Sequence, residues 1–161
     1  MIGTFSILWP ISFLAVAVVD DLLFKKFHNW LFVSLSCVGL AYVFFTGNLS
    51  LWESTLGFIT GGIIMLPLVL GGAIGGGDMK FMMSFGIIMG TNAIFEIFLH
   101  SLFWGLLIGA LQILLSGRLK KVQENFQQMA VGNKPQNLHK IPYTVAIFGG
   151  WLSFTSFGGL L

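Results

Sequence analysis

The chain has 161 residues, 56% of them hydrophobic and 9% charged, with a formal charge of +2 and a mean hydropathy of +0.91. Soluble domains carry roughly 25% charged residues, so the composition excludes an ordinary soluble enzyme and predicts one polytopic membrane domain over residues 1–161. The small, scattered positive charge offers nucleic acid no basic stripe. Cys37 is the single cysteine, and His28, His100 and His139 stand apart without ligand spacing, so no metal site and no cofactor are expected.

In chain order, residues 2–19 come first and carry no charge. They lack the positive start of a cleavable signal peptide and read as a first membrane span. A spanning helix needs about 17–25 mainly apolar residues. The gaps between charges supply five more: 30–45, 51–70, 74–90, 94–115 and 141–160. The predicted fold is an all-α bundle of six transmembrane helices.

Two polar islands interrupt this pattern. The first runs from Asp21 through Lys25-Lys26 to His28-Asn29, between spans one and two, with Asp20 directly before it. The second is Gly75-Gly76-Gly77-Asp78-Met79-Lys80, at the start of span four. Lys25, Lys26, Lys80, Arg118, Lys120, Lys121, Lys134 and Lys140 are all eight basic residues of the chain, and all fall on alternate connections. The intervening loops, 46–50 and 91–92, contain none. The positive-inside rule then puts both termini outside and both islands at the cytoplasmic face.

Other polar residues have structural readings. Ser50 and Glu53 have the Ser-x-x-Glu spacing of a capping box. Glu96 is expected to favour the positive end of helix five. Gly105 and Gly109 permit close helix contact. Within 117–140, Leu119, Val122, Phe126 and Met129 recur on one helical face beside Arg118, Lys120 and Lys121. That segment reads as a connector resting on the anionic membrane surface, ahead of a substrate-docking element.

The aspartates are harder to assign to structure. A carboxylate at the hydrocarbon edge is costly, and glycines before Asp78 would let its helix start press against a neighbour. Two close carboxylates cannot readily both ionise. One charged and one protonated acid can activate water and polarise a peptide carbonyl, as in aspartic proteases. Asp20 and Asp21 cannot both face Asp78, because adjacent helix residues point about 100° apart. The other of the two is expected to face water or cap a helix, and its replacement by asparagine to keep substantial activity. The residues alone do not choose between them.

The two islands together resemble the type IV prepilin peptidase family, membrane aspartic peptidases with a Gly-x-Gly-Asp motif. Gly75, Gly77, Asp78 and Lys80 match that motif and the lysine two places beyond it. Asp21 to Asn29 matches the family's aspartate, basic stretch and asparagine eight residues on, which selects Asp21 over Asp20. Phe27-His28 stands where the family has Ile-Pro, and a proline would stiffen that turn. The 140–143 run resembles the family's approach to its last span.

The resemblance implies a catalytic dyad of Asp21 and Asp78, supported by Gly75, Gly77, Lys80 and Asn29. Lys80 would hold a loop, bias the dyad electrostatically, or snorkel to the interface. It implies no metal, and as partners a prepilin or pseudopilin substrate, the lipid bilayer and pilus or secretion assembly proteins. The implied location is a bacterial inner membrane. Without a cysteine-paired cytoplasmic domain the chain looks like the short form of tight-adherence (Flp) pili, and N-methylation is not implied. The rival expectation is a non-enzymatic transport or assembly component. A proton-linked carrier should place at least one acid near the middle of a span, and none is expected there.

Overall fold

Every described element is a helix: α1 (Thr4–Phe24), α2 (Asn29–Thr46), α3 (Leu51–Leu70), α4 (Gly76–Ser116) and α5 (Tyr143–Phe157). The computed structural model describes residues 4–24, 28–72, 74–116 and 143–157, and their side chains except those of 4–8, 21–24, 116 and 157. The amphipathic reading of 117–140 lies outside these residues.

Local chemistry sets several of the boundaries. Ser50 Oγ accepts the Glu53 N–H at 3.1 Å, which satisfies one of the free donors at the start of α3. Gly47 ends α2 in the left-handed conformation, φ 62°, with its N–H on the Val43 carbonyl. Such a C-terminal stop favours glycine because no Cβ opposes positive φ. Both helix ends fall where the sequence places them.

The largest departure concerns spans four and five. A short loop at 91–92 is predicted, yet the chain stays helical through α4 and leaves helical geometry only at Gly90, φ 77° and ψ 176°. One glycine in a backbone region closed to other residues does the work of a loop. Thr60 of α3 borders the same cavity as Thr91, Asn92, Phe95 and Glu96. Gly57, earlier in α3, meets Gly86 and Gly90, so the second arm of α4 turns back along α3 instead of passing its start.

Three helices, Asn29–Thr46, Leu51–Leu70 and Gly76–Leu115, are long and apolar enough to cross a membrane, while Trp9–Asp20 is a shorter apolar stretch. The all-helical class therefore holds. Six separate crossings are more than these three helices establish.

The arms of α4 organise the bundle. Its first arm runs antiparallel to α3, with Gly57 against Gly86 and Gly61 against Met82. Gly39 of α2 seats Ile87 and Ile88 from the other side. Its second arm holds α5, where Gly149 lies against the Trp104 indole and Gly150 against the backbone of Ile97 and Ser101. Gly105, one of the predicted contact glycines, meets the Tyr143 ring. In lipid, apolar side chains gain little by leaving a neighbourhood that is already apolar, so close backbone approach at small residues drives helix association. Leu14, Met65, Phe81, Phe85, Ile94, Ile97 and Ile147 are fully enclosed, while Phe44, Phe45, Leu70 and Leu115 face outward.

Candidate active site

The two polar islands meet at one end of the bundle. Asp78 is the third residue of α4, and Gly75 stands just before that helix. The Gly75 N–H donates to Asp78 Oδ2 at 3.2 Å, and the Asp78 N–H returns to the Gly75 carbonyl at 3.1 Å. An acid at the third position reaching back to the residue before the helix is one half of a capping box. Asp78 thus holds its own helix start together.

Gly75 and Gly76 do not press on a neighbour as expected. Added side-chain carbons would meet open space at Gly76 and only ordinary contact at Gly75. The left-handed glycine nearby is Gly72, φ 71°, and the close backbone approach of this helix is farther along, at Gly86.

Lys80 joins the islands directly. Its Nζ donates to Asn29 Oδ1 at 2.6 Å. The ammonium group thus bridges the start of α2 and the start of α4. One turn farther into the bundle, Ser84 Oγ bonds the Lys80 carbonyl at 3.1 Å and Ser36 Oγ at 3.1 Å. Two polar contacts at successive turns set the register of α2 against α4, the Lys80–Asn29 bond at the exposed end and the Ser36–Ser84 contact in the partly buried turn beyond it, where a polar group needs a partner.

Asp21 lies in α1 by its backbone, and its side chain lies outside the described residues. Asp20 is described, and it corrects the expectation of a water-facing neighbour. It is buried at 8% exposure. Its Oδ1 lies 3.2 Å from His28 Nδ1, and its Oδ2 accepts the His28 backbone N–H at 3.4 Å. Burial is tolerable because both oxygens have polar neighbours. His28 is the N-cap of α2 and makes no side-chain cap bond to that helix. The capping alternative is thus close to what occurs, with Asp20 bound to the cap residue itself.

The far end of the chain reaches this region through Tyr143. Its phenol bonds Ser101 Oγ at 2.8 Å, and the Asp78 carboxyl is near enough to act on it electrostatically. Sequence reasoning noticed Tyr143 only as part of the 140–143 run. Nothing in its spacing marks a neighbour of Asp78, since the two residues are brought together by the return of α4. His28 reads from sequence as a histidine without ligand spacing and as a replacement for the family proline, not as a partner for Asp20.

Glu96 also departs from expectation. The dipole reading fails on distance, because that field fades within the first turn and Glu96 is six residues past the Gly90 break. It is buried at 6% exposure, and its Oε2 has no hydrogen-bond partner. It lines a cavity of about 350 Å³ with Thr60, Thr91, Asn92 and Phe95. Thr60 is the tenth residue of α3, so this acid shares a cavity with the middle of an apolar helix. Among the described residues no three His, Cys, Asp or Glu side chains gather into a group that could hold a metal ion.

This fold defines a helical membrane protein with two acid-bearing segments joined at one end of its bundle. The sequence profile of the type IV leader peptidase family matches residues 8–110, well over half the chain and inclusive of both islands. The chain belongs to that family, and membership implies peptidase activity on prepilin-type substrates. No curated protein and no solved structure matches it.

Proposed function

We propose that this protein is a membrane-embedded aspartic endopeptidase that removes the short basic leader of prepilins or pseudopilins. It works at the cytoplasmic face of a bacterial inner membrane. The observation that carries the reading is the Lys80–Asn29 bond, which ties the asparagine of the first island to the helix start that bears Asp78. Two aspartate segments held at one bundle end are what a two-acid mechanism requires.

In that mechanism Asp21 and Asp78 share one proton. The ionised acid takes a proton from water as the oxygen attacks the scissile carbonyl, and the protonated acid polarises that carbonyl. The tetrahedral adduct collapses when the leaving nitrogen receives a proton from the dyad. Water is thus divided between the two products, and no covalent enzyme intermediate forms. The apolar segment of the substrate would lie in the bilayer beside α1 and α4, with its basic leader in the cytoplasm. Tight-adherence pilins are the substrates we favour, and methylation of the new N-terminus forms no part of the proposal. The direct test is co-expression with a tagged prepilin encoded in the same genome, scoring leader removal on a gel. A prepilin that stays full length beside well-folded enzyme would remove the support for this substrate class.

The proposal includes six crossings, with the arms of α4 as the fourth and fifth and with both termini outside. The segregation of all eight basic residues onto alternate connections supports it. In a background lacking Cys37, Asn48→Cys should react with an impermeant thiol reagent from outside, whereas Lys25→Cys and Lys134→Cys should react only after the membrane is opened. Outside labelling at position 134 would reverse the topology.

A second reading, ion translocation, is favoured by Glu96 alone, since buried acids at mid-helix often mark ion pathways. The peptidase reading predicts that Glu96→Gln cleaves within about threefold of the wild-type rate, because the loss of a catalytic acid or base costs about 10²-fold or more. Loss of a proton-linked flux in vesicles on the same substitution, with cleavage absent throughout, would favour translocation.

A further inference from the structure

We propose that Asp20 and His28 are positioning residues for peptide cleavage, a role that deepens the peptidase reading and rests on it. The pair fixes the connection from α1 to α2, and so places Asn29 where it can receive Lys80 and hold the start of α4.

The contacts form a continuous path. Asp20, in the last stretch of α1, holds His28 through Nδ1 at 3.2 Å and through the backbone N–H at 3.4 Å. The next residue along the chain is Asn29, which accepts the Lys80 ammonium at 2.6 Å. Lys80 lies two residues beyond Asp78 on the first turns of α4. The acid-bearing end of α1 is thereby linked to the acid-bearing end of α4 through three residues of known identity. A two-acid mechanism depends on the separation of its acids, and misplacement by about 1 Å can cost 10²-fold in rate. A polar link between these two helix ends passes through His28 and Asn29.

The geometry of His28 shows what the pair supplies. Its backbone sits at φ −76° and ψ 141°. A proline ring would lock φ near −65 ± 15° without any partner, so the conformation held here by two contacts is one that proline holds covalently. Asp20 is buried at 8% exposure while the His28 side chain is 37% exposed, so water competes for the pair from the His28 side only, and the low polarity around Asp20 strengthens the contacts.

The test measures leader removal from a tagged prepilin of the same genome, reconstituted with purified enzyme in liposomes. Asp20→Ala and His28→Ala should each lower kcat about tenfold, the scale of a lost charge-assisted hydrogen bond, with KM changed less than twofold. The double variant should be no slower than either single one, as expected when two residues act as a unit. His28→Pro should recover most of the activity that His28→Ala loses, and Asp20→Asn should then have little further effect in that background. Thermal unfolding in detergent and gel filtration identify any variant that fails to fold, and Asp20→Asn, which keeps side-chain volume and one acceptor oxygen, replaces Asp20→Ala in that event.

Unchanged kcat in both single variants would overturn the positioning role. So would an inactive Asp20→Asn in the His28→Pro background, because Asp20 would then act chemically and not through the turn. Normal cleavage by Asp78→Asn in the same assay would sink the peptidase reading itself, and is distinguishable from either result.

Discussion

Asp78→Asn and Asp21→Asn are each expected to abolish detectable leader removal while leaving folded protein in the membrane. An amide can neither take the proton of the attacking water nor share a proton with its partner acid. Loss of one general acid or base costs about 10²–10⁴-fold. For Asp78 the substitution keeps the helix-start contact. One carboxylate oxygen accepts the Gly75 N–H, and the side-chain carbonyl of asparagine can accept the same bond. The start of α4 should therefore persist, and membrane yield and detergent gel filtration should match wild type. Asp78→Ala removes that acceptor and leaves the Gly75 donor exposed, so some of its effect would come from a loosened helix start. Comparing the two separates chemistry from capping. Full activity in Asp78→Asn would leave no route to the proposed mechanism. Full activity in Asp21→Asn, with Asp20→Asn inactive, would move the dyad by one residue and preserve the reaction class.

Interactions within one turn of chain were legible in the sequence. Ser50 and Glu53 form their cap contact as the spacing predicts, and α3 has the predicted bounds, because both features depend on residues a few positions apart. The family motifs were legible for the same reason, being short strings. Which side of each helix faces inward was not legible. Phe81 and Phe85 are fully buried while Phe44 and Phe45 stand out toward lipid, yet the sequence treats all four alike. In a membrane protein both the core and the surrounding solvent are apolar, so hydrophobicity no longer marks the interior. Polar contacts across helices escaped for a related reason. Asp20 meets His28, and Lys80 meets Asn29, only after α1, α2 and α4 have docked. Glu96 was misjudged because the return of α4 at Gly90 carries it back beside Thr60, and a single glycine in a helical run gave no sign of a reversal.

The second large effect is expected at Gly57 and Gly86. Each stands where a side-chain carbon would collide with the backbone carbonyl of the other. A flexible side chain could swing away from such a carbon, but a carbonyl within a helix is fixed by its own hydrogen bond, so the helices must separate. Overpacking of this kind costs about 1–3 kcal/mol and sometimes more, a large share of a typical stability of about 5–15 kcal/mol. Gly86→Ala and Gly57→Ala should each lower the detergent unfolding temperature measurably, and Gly86→Leu should leave little folded protein. Gly76→Ala is the control. Its added carbon meets nothing within 4 Å, and alanine is favoured over glycine in a helix by about 1 kcal/mol, so its unfolding temperature should equal or exceed wild type. The damage at Gly86 should also reach the site. Gly86 lies eight residues from Asp78 on the same arm of α4, and an arm pushed away from α3 must either lose the Lys80–Asn29 bond or drag α2 with it. Cleavage in Gly86→Ala should therefore fall even at temperatures where the protein remains folded. An alanine at either glycine with the unfolding temperature of wild type would mean that α3 and α4 do not meet through these two residues.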